Sequence, residues 1–90
     1  VSRISTNFPN VEDYLNDFDQ KRKITVANQE QLSIDSYNAI GRIEIFNGGP
    51  ISQQKVYFIY VNNWVYALST SSPELYSDLD QIARSFRYTP

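Results

Sequence analysis

Residues 55–86 decide the fold, and they read KVYFIYVNNWVYALSTSSPELYSDLDQIARSF. Two apolar runs flank Asn62-Asn63, and asparagine tolerates the positive φ that a two-residue primed turn requires. The stretch therefore predicts a β-hairpin, in which the cross-strand pairs are Val61 with Trp64, Ile59 with Tyr66, and Tyr57 with Leu68. A four-residue turn would shift this pairing. Both faces of the hairpin are apolar, so we expect it in the middle of a sheet that is covered on both sides.

A helix is predicted directly after the hairpin. Ser72 suits the N-cap position, and Pro73 suits the first helical position, where the missing N–H costs nothing. Apolar residues then recur at helical spacing and form one stripe, which we expect to cover a face of the sheet. The members of this stripe are Leu75, Leu79, Ile82 and Phe86.

The residues before the hairpin predict a further helix and several short strands. Asn10 is a suitable N-cap for a helix over 11–20. In chain order, the predicted elements are a strand over 1–6, this helix, strands over 24–26 and 32–34 with a polar loop over 28–31 between them, a turn at 35–36 and a strand over 39–46. Successive strands with short links favour an antiparallel sheet. We therefore expect an α+β fold, an α-β-α sandwich around an antiparallel β-sheet.

Composition excludes several classes of chemistry. The chain has 90 residues, which predicts a single domain, and it contains neither histidine nor cysteine. Ser-His-Asp and Cys-His catalysis are therefore excluded, as are metal sites built on imidazole or thiolate. Asp13, Asp17 and Asp19 offer only carboxylates, and a solvated helix face is the simpler interpretation of them. We expect a non-enzymatic domain with no cofactor and no metal.

Charge and hydropathy limit the class of partner. Eight basic and ten acidic residues give a formal charge of −2, so a broad basic surface for nucleic acid is not expected. A membrane-spanning helix needs a run of about 18 or more apolar residues, and the sequence has none. Peripheral association with a membrane stays compatible with the sequence. The expected partner is therefore another protein.

Aromatic and basic residues supply a candidate interaction surface. Tyrosine and tryptophan are enriched at protein interfaces, because they join a large apolar area to a polar tip, although most are expected to pack in or beside the core. The charge run Lys21-Arg22-Lys23 is expected to complement the dipole of the first helix; the alternative is an acidic partner or an anionic lipid surface. Three tyrosines lie off the apolar stripes. The candidate surface is Lys21, Arg22, Lys23, Tyr37, Tyr76 and Tyr88.

Several of these stretches resemble the PsbP-like family. The ending LYSDLDQIARSFRY over 75–88, with VYFIYVNNWVYALSTSSP over 56–73 before it, is similar to the C-terminal part of that family. LSIDSYNAIGRIEIF over 32–46 and NVEDYLNDF over 10–18 are similar to its middle and to its first helix. The resemblance implies an α-β-α sandwich. Two features depart from the family pattern: the extra N-terminal hairpin of its members is missing here, and the metal-binding histidine of the photosystem subunit has no counterpart.

The resemblance implies non-enzymatic work and leaves three hypotheses. The first is a protein-interaction module similar to the extrinsic and assembly proteins of photosystems. The second is a C-terminal regulatory or sensory domain of a larger signalling protein, such as a cyanobacterial Ser/Thr protein kinase. The third is a small-ligand carrier or enzyme, with a pocket lined by tyrosine and tryptophan between the sheet and a helix. Residues 1–90 would be one PsbP-like domain, a fragment or end module of a longer chain. A thylakoid-lumen or other extracytoplasmic location follows from the first hypothesis, and a cytoplasmic one from the second.

Overall fold

A computed structural model describes residues 2–22, 24–46 and 53–87 of the chain. These residues form one antiparallel sheet with the strand order β1-β5-β4-β3-β2. The elements are β1 (Ser2–Ser5), α1 (Val11–Lys21), β2 (Ile24–Ile34), β3 (Tyr37–Phe46), β4 (Gln53–Val61), β5 (Trp64–Thr70), a 3₁₀ turn (Pro73–Leu75) and α2 (Tyr76–Arg84). The expectation of an α+β fold with an antiparallel sheet is confirmed.

The predicted α-β-α sandwich is wrong, because the sheet dominates the structure. At about 3.3 Å per residue, an eleven-residue strand such as β2 is roughly 36 Å long. At about 1.5 Å per residue, the nine residues of α2 extend only about 14 Å. A helix this short covers part of a sheet face and cannot form a complete layer. Within the described residues, the molecule is a small sheet-dominated fold with two short helices attached to it.

The polar stretch over 28–31 belongs to a strand, and its prediction as a loop is wrong. Strand β2 runs without a break from Ile24 to Ile34 along the whole length of β3. A bulge between Val26 and Asn28 shifts the register and keeps the two strands paired. The described part of the chain therefore has five strands where six were expected. The ladder to β3 satisfies the backbone of these residues, which outweighs the weak strand preference of their side chains.

The hairpin of β4 and β5 has the predicted geometry. Asn62 and Asn63 have φ values of 49° and 66°, which the two-residue primed turn requires. The register pairs Val61 with Trp64, Ile59 with Tyr66 and Tyr57 with Leu68, as predicted. The turn at Asp35 and Ser36 between β2 and β3 is of the same kind, with φ values of 52° and 68°. Two local signals thus fix the register of four strands.

Each face of the sheet carries its own apolar core. One core contains Leu79 and Ala83 of α2 packed against β3, β4 and β5, and we call this side the helix-2 face. The other contains Val11 and Leu15 of α1, and we call it the helix-1 face. Asn10 caps α1 as predicted, since its side-chain oxygen accepts a hydrogen bond from the backbone N–H of Asp13 at 2.8 Å.

The apolar stripe predicted for the second helix is only partly buried. Leu79 is buried, but Leu75 is 44% exposed and Ile82 is 55% exposed. The chain enters this segment through a 3₁₀ turn, whose tighter winding moves Leu75 out of phase with the α-helix. Ser72 occupies the N-cap position of that turn without the predicted side-chain hydrogen bond. The buried positions of α2 are therefore Leu79 and Ala83, and part of the apolar stripe faces solvent.

Candidate functional site

A polar groove lies on the helix-2 face where β2, β3 and β4 are neighbours. The strand register places Asn28, Ile43 and Lys55 in one row across these strands, and Glu30 and Gly41 in the adjoining row. These five residues line a groove of about 360 Å³, together with parts of two neighbouring residues. Its walls carry an ammonium group on one side and a carboxylate on the other. This composition suits a small polar molecule or a polar side chain of a partner.

The ring of Tyr57 explains the glycine that lines the groove. A Cβ atom at Gly41 would lie 2.6 Å from Cε1 of Tyr57, a separation that real structures do not tolerate. The tyrosine ring therefore lies across the glycine and uses the space that a side chain would fill. Gly41 is needed here for close packing of an aromatic ring.

The hydroxyl of Tyr57 links β4 to α2. It donates a short hydrogen bond to Oδ1 of Asp80, and Nζ of Lys55 lies 2.8 Å from the same oxygen. Burial works to raise the pKa of Asp80, but the hydrogen bonds from Lys55 and Tyr57 outweigh it, so this pKa lies below its ordinary value. The bond to Asp80 raises the pKa of Lys55, and burial followed by the same carboxylate raises the pKa of Tyr57. Lys55 and Tyr57 therefore keep their protons at neutral pH while Asp80 stays ionised. These three residues hold α2 on the sheet, and we call them the lock.

A second charged cluster lies on the helix-1 face, with its central ion pair buried. The side chain of Arg42 has no exposed area, and that of Glu44 is 1% exposed. Both end nitrogens of Arg42 donate to the carboxylate of Asp19 at 2.8 and 2.9 Å, and Nε and Nη2 donate to Glu44 at 2.9 and 2.6 Å. Gln54 donates to the remaining oxygen of Glu44 at 2.9 Å. Because Asp19 belongs to α1, the cluster attaches the end of that helix to β3.

The charged side chains of the second cluster are engaged with each other. Burial alone would lower the pKa of Arg42, but its hydrogen bonds with Asp19 and Glu44 raise it above the ordinary value. The guanidinium is therefore a permanent cation with its donors occupied. Among residues 2–22, 24–46 and 53–87, no group of three or more acidic side chains is placed to hold a metal ion.

The basic part of the predicted interaction surface lies at the end of α1. Lys21 is exposed and forms an ion pair with Asp17 at 3.0 Å, one helical turn away. The guanidinium of Arg22 lies over the ring of Phe18, 4.8 Å from its centroid. Lys23 lies outside the described residues. Because α1 packs on the helix-1 face, these charges are on that side of the sheet.

The predicted tyrosines lie elsewhere. Tyr37 is half-buried and packs against the core of the helix-2 face. Tyr76 is half-buried at the start of α2, where its hydroxyl lies 3.5 Å from Nε2 of Gln53. Tyr88 is outside the described part of the chain. Among the described members of the predicted surface, Lys21 and Arg22 are thus on the opposite side of the sheet from Tyr37 and Tyr76.

Exposed large apolar side chains lie toward the β1 edge of the sheet, opposite to β2, and sequence reasoning missed them. Among the described residues, the large apolar side chains that stay exposed belong to β1, to β5, to the 3₁₀ turn after β5 and to α2, which packs on β5. They are Ile4 on the helix-1 face and Trp64, Leu75 and Ile82 on the helix-2 face, and we call them the apolar margin. The guanidinium of Arg3 lies 4.5 Å from the ring centroid of Trp64. The sequence signal for these exposed residues was weak, because Leu75 and Ile82 belong to an apolar stripe that predicts burial in the core.

Sequence reasoning also missed the partners of the charged groups. The only acidic neighbour of Asp80 at short sequence distance is Asp78, and the two side chains diverge on a helix. The partners of Asp80 in the structure are Lys55 and Tyr57, which are distant in sequence, so no local pattern indicates them. The ion pair of Arg42 and Glu44 could have been predicted from the sequence, because two charges of opposite sign lie on the otherwise apolar face of a predicted strand.

Comparison of the chain with protein-family models, with curated proteins and with solved structures gives no match. Within the described residues, no helix is long and apolar enough to cross a membrane.

Proposed function

We propose that this chain is a non-enzymatic protein-interaction module that docks through the apolar margin. The observation that carries this proposal is the exposure of Ile82 (55%) on α2 and of Leu75 (44%) in the 3₁₀ turn before it, while Leu79 and Ala83 of α2 are buried. Single exposed apolar side chains are ordinary, whereas several at one edge are typical of an interaction site. Burying them against a partner recovers about 25 cal/mol for each Å² of apolar surface.

The composition of the margin also supports docking. Trp64 with Arg3 across its ring combines two residue types that are enriched in interfaces and in their energetic centres. The charged groups that catalysis would need are engaged with each other, as the Arg42 and Asp80 clusters illustrate. A docking role is also what the resemblance to the PsbP-like family implies. A regulatory end domain would use the same margin against another part of its own chain.

A photo-cross-linking amino acid at position 82 tests the proposal in cells that make the full-length native protein. The matched control carries the same amino acid at position 81, an exposed neighbour on α2. We expect a discrete cross-linked product from position 82 that is absent or much weaker from position 81. A product of higher mass supports docking on another protein, and a cross-link within one longer chain supports the regulatory domain. Equal labelling of many proteins from both positions would contradict a specific margin.

The groove favours a second candidate, a carrier of a small polar ligand. Its volume of about 360 Å³ lies in the range of ligand-binding clefts. A bound ligand stabilises the folded state by mass action, so the melting temperature should rise with ligand concentration. We would screen amino acids and small amines by thermal shift, with Glu30→Gln as the variant that removes the acidic wall. If no compound raises the melting temperature, or if Glu30→Gln responds like the wild type, the carrier hypothesis is wrong.

A further inference from the structure

The outer edge of β2 presents a defined row of backbone groups. In a two-residue primed hairpin, the residues that flank the turn form a hydrogen-bonded pair, and here these residues are Ile34 and Tyr37. Hydrogen-bonded and outward-facing residues alternate along an antiparallel strand. Gln29, Gln31 and Ser33 therefore direct their N–H and C=O groups away from β3. The hydrogen bonds described outside the helices and strands involve none of these three backbones.

Among the described residues, the part of this edge over 28–34 has little of the usual protection. Natural sheets commonly limit their edges by short strands, by lysine or by proline. The other edge strand, β1, has only four residues, whereas β2 has eleven and contains neither lysine nor proline. The bulge between Val26 and Asn28 lies near the beginning of β2. The regular part that follows, over 28–34, is about 23 Å long, which is enough to pair with an added strand of ordinary length.

Negative charges lie beside the edge of β2 and favour a basic partner. Glu30 is exposed on the helix-2 face, where it is the only charged side chain of β2. On the opposite face, Nε2 of Gln31 donates to the carboxylate of Glu12 at 2.8 Å. A carboxylate thus lies on each face at the same height along the strand. An added strand meets both of them when it carries adjacent basic residues, because successive side chains point to opposite faces.

A second copy of this chain fits the edge poorly. Pairing two β2 edges would bring two Glu30 and two Glu12 carboxylates to one joint, and the matching positions of β2 supply no cation. Like charges that face each other across paired strands destabilise the pair. Complementarity of charge therefore favours a basic segment of a different protein.

We propose that the outer edge of β2 is a strand-addition site for an extended segment of a partner protein that carries adjacent basic residues. The backbone of Gln29, Gln31 and Ser33 would supply the hydrogen bonds, and Glu30 and Glu12 the preference for lysine or arginine. This site is separate from the apolar margin, and it can be present whether or not the margin docks a partner.

The test uses the whole chain and the synthetic peptide TVTKKTVTV, with TVTEETVTV as the charge-reversed control. Backbone amide hydrogen exchange, followed residue by residue by NMR, reports the pairing directly. We expect the basic peptide to slow exchange at Gln29, Gln31 and Ser33 selectively, because their N–H groups become donors to the peptide. Exchange at Glu30 and Leu32, whose N–H groups already face β3, should change little. The acidic peptide should bind at least tenfold more weakly.

Matched variants separate backbone pairing from side-chain contact. Gln31→Pro removes an outward N–H that the native ladder does not use, and proline is tolerated at such edge positions. Gln31→Ala removes the same side chain and keeps the N–H. We expect the proline variant to bind the basic peptide at least tenfold more weakly than the alanine variant. Glu30→Lys should reverse the preference between the two peptides and serves as the second test if the proline variant does not fold.

Three results would overturn the proposal. The first is uniform or absent protection at the three outward amides. The second is equal affinity of the proline and alanine variants for the peptide. The third is a concentration-dependent dimer of the chain alone that protects the same amides, which would assign the edge to a second copy.

Discussion

The two edges of the sheet differ in length, in composition and in the way each can be recognised. The β1 edge is four residues long, and Ile4 and Trp64 are the large apolar side chains that stay exposed on its strands among the described residues. The β2 edge is eleven residues long, and most of its exposed side chains are polar and uncharged. A short edge offers few free backbone groups, so recognition there depends on side-chain burial. A long polar edge offers mainly its backbone.

The two edges are also held to the core differently. On the β2 side, the cluster of Arg42, Glu44 and Asp19 attaches α1 to β3. On the β1 side, ring packing of Tyr66 against Phe86 joins β5 to the chain that follows α2, with the ring centroids 5.4 Å apart. Removing one member of a buried ion pair strongly lowers the stability of the fold. Trimming an apolar contact lowers the stability in proportion to the area removed. This difference ranks the expected effects of substitutions.

The largest effect is expected from Arg42→Met on the β2 side. The substitution leaves the carboxylate of Glu44 buried without its cation, and losing one member of a buried ion pair costs about 3–5 kcal/mol. Urea unfolding at pH 7 measures the loss. The double variant Arg42→Met, Glu44→Leu should regain much of the stability, because it removes both charges. A single variant as stable as the double variant would contradict the role given to this cluster.

A smaller loss is expected from Gly41→Ala, between the two edges. The new methyl group would overlap the ring of Tyr57, and overpacking of this kind costs about 1–3 kcal/mol. Chemical denaturation gives the value. In a Tyr57→Leu background the same substitution should cost much less, since the ring is gone. Equal costs in both backgrounds would exclude the ring as the cause.

The lock between α2 and the sheet predicts a dependence on pH. Because the folded-state pKa of Asp80 is lowered, its contribution to stability is complete above the ordinary carboxylate pKa and is lost as pH falls through the folded value. As the pH falls from about 5 to below the ordinary carboxylate pKa of about 3.9, the wild type should lose more stability than Asp80→Asn. Asp78→Asn, which removes a carboxylate from the same helix, is the control and should follow the wild type. Parallel curves for Asp80→Asn and the wild type would show that the lock contributes nothing.

The smallest effect on stability is expected at the apolar margin. Ile82→Glu changes an exposed side chain, so the free energy of unfolding should change by no more than about 0.5 kcal/mol. Gln81→Glu adds the same charge one residue away and should behave alike in denaturant. A loss above about 2 kcal/mol for Ile82→Glu would show that this side chain belongs to the core.

Local signals predicted those parts of the fold that neighbouring residues determine. Asn62-Asn63 fixed the turn and the register of β4 and β5, and Asn10 fixed the start of α1. The continuity of β2 was not predictable in this way, because its polar stretch becomes a strand only through pairing with β3. The rotation of α2 depends on the 3₁₀ turn before it, and the sequence periodicity of the stripe contains no mark of that turn.

The candidate sites were less predictable than the fold. The groove depends on residues from β2, β3 and β4, and the lock depends on contacts across 23 positions of sequence. Exposure of Leu75 and Ile82 is a property of how α2 sits on the sheet, while their spacing alone indicates burial. The off-stripe position of Tyr37 suggested exposure, yet the side chain is half-buried against the core of the helix-2 face.

The affinity of the margin for its partner tests the docking function most directly. Once cross-linking from position 82 has identified a partner, calorimetric titration compares Ile82→Glu with Gln81→Glu. Docking through the margin predicts that Ile82→Glu weakens binding at least tenfold, about 1.4 kcal/mol, while Gln81→Glu stays within about twofold of the wild type. Equal affinities of the two folded variants would contradict docking through the apolar margin.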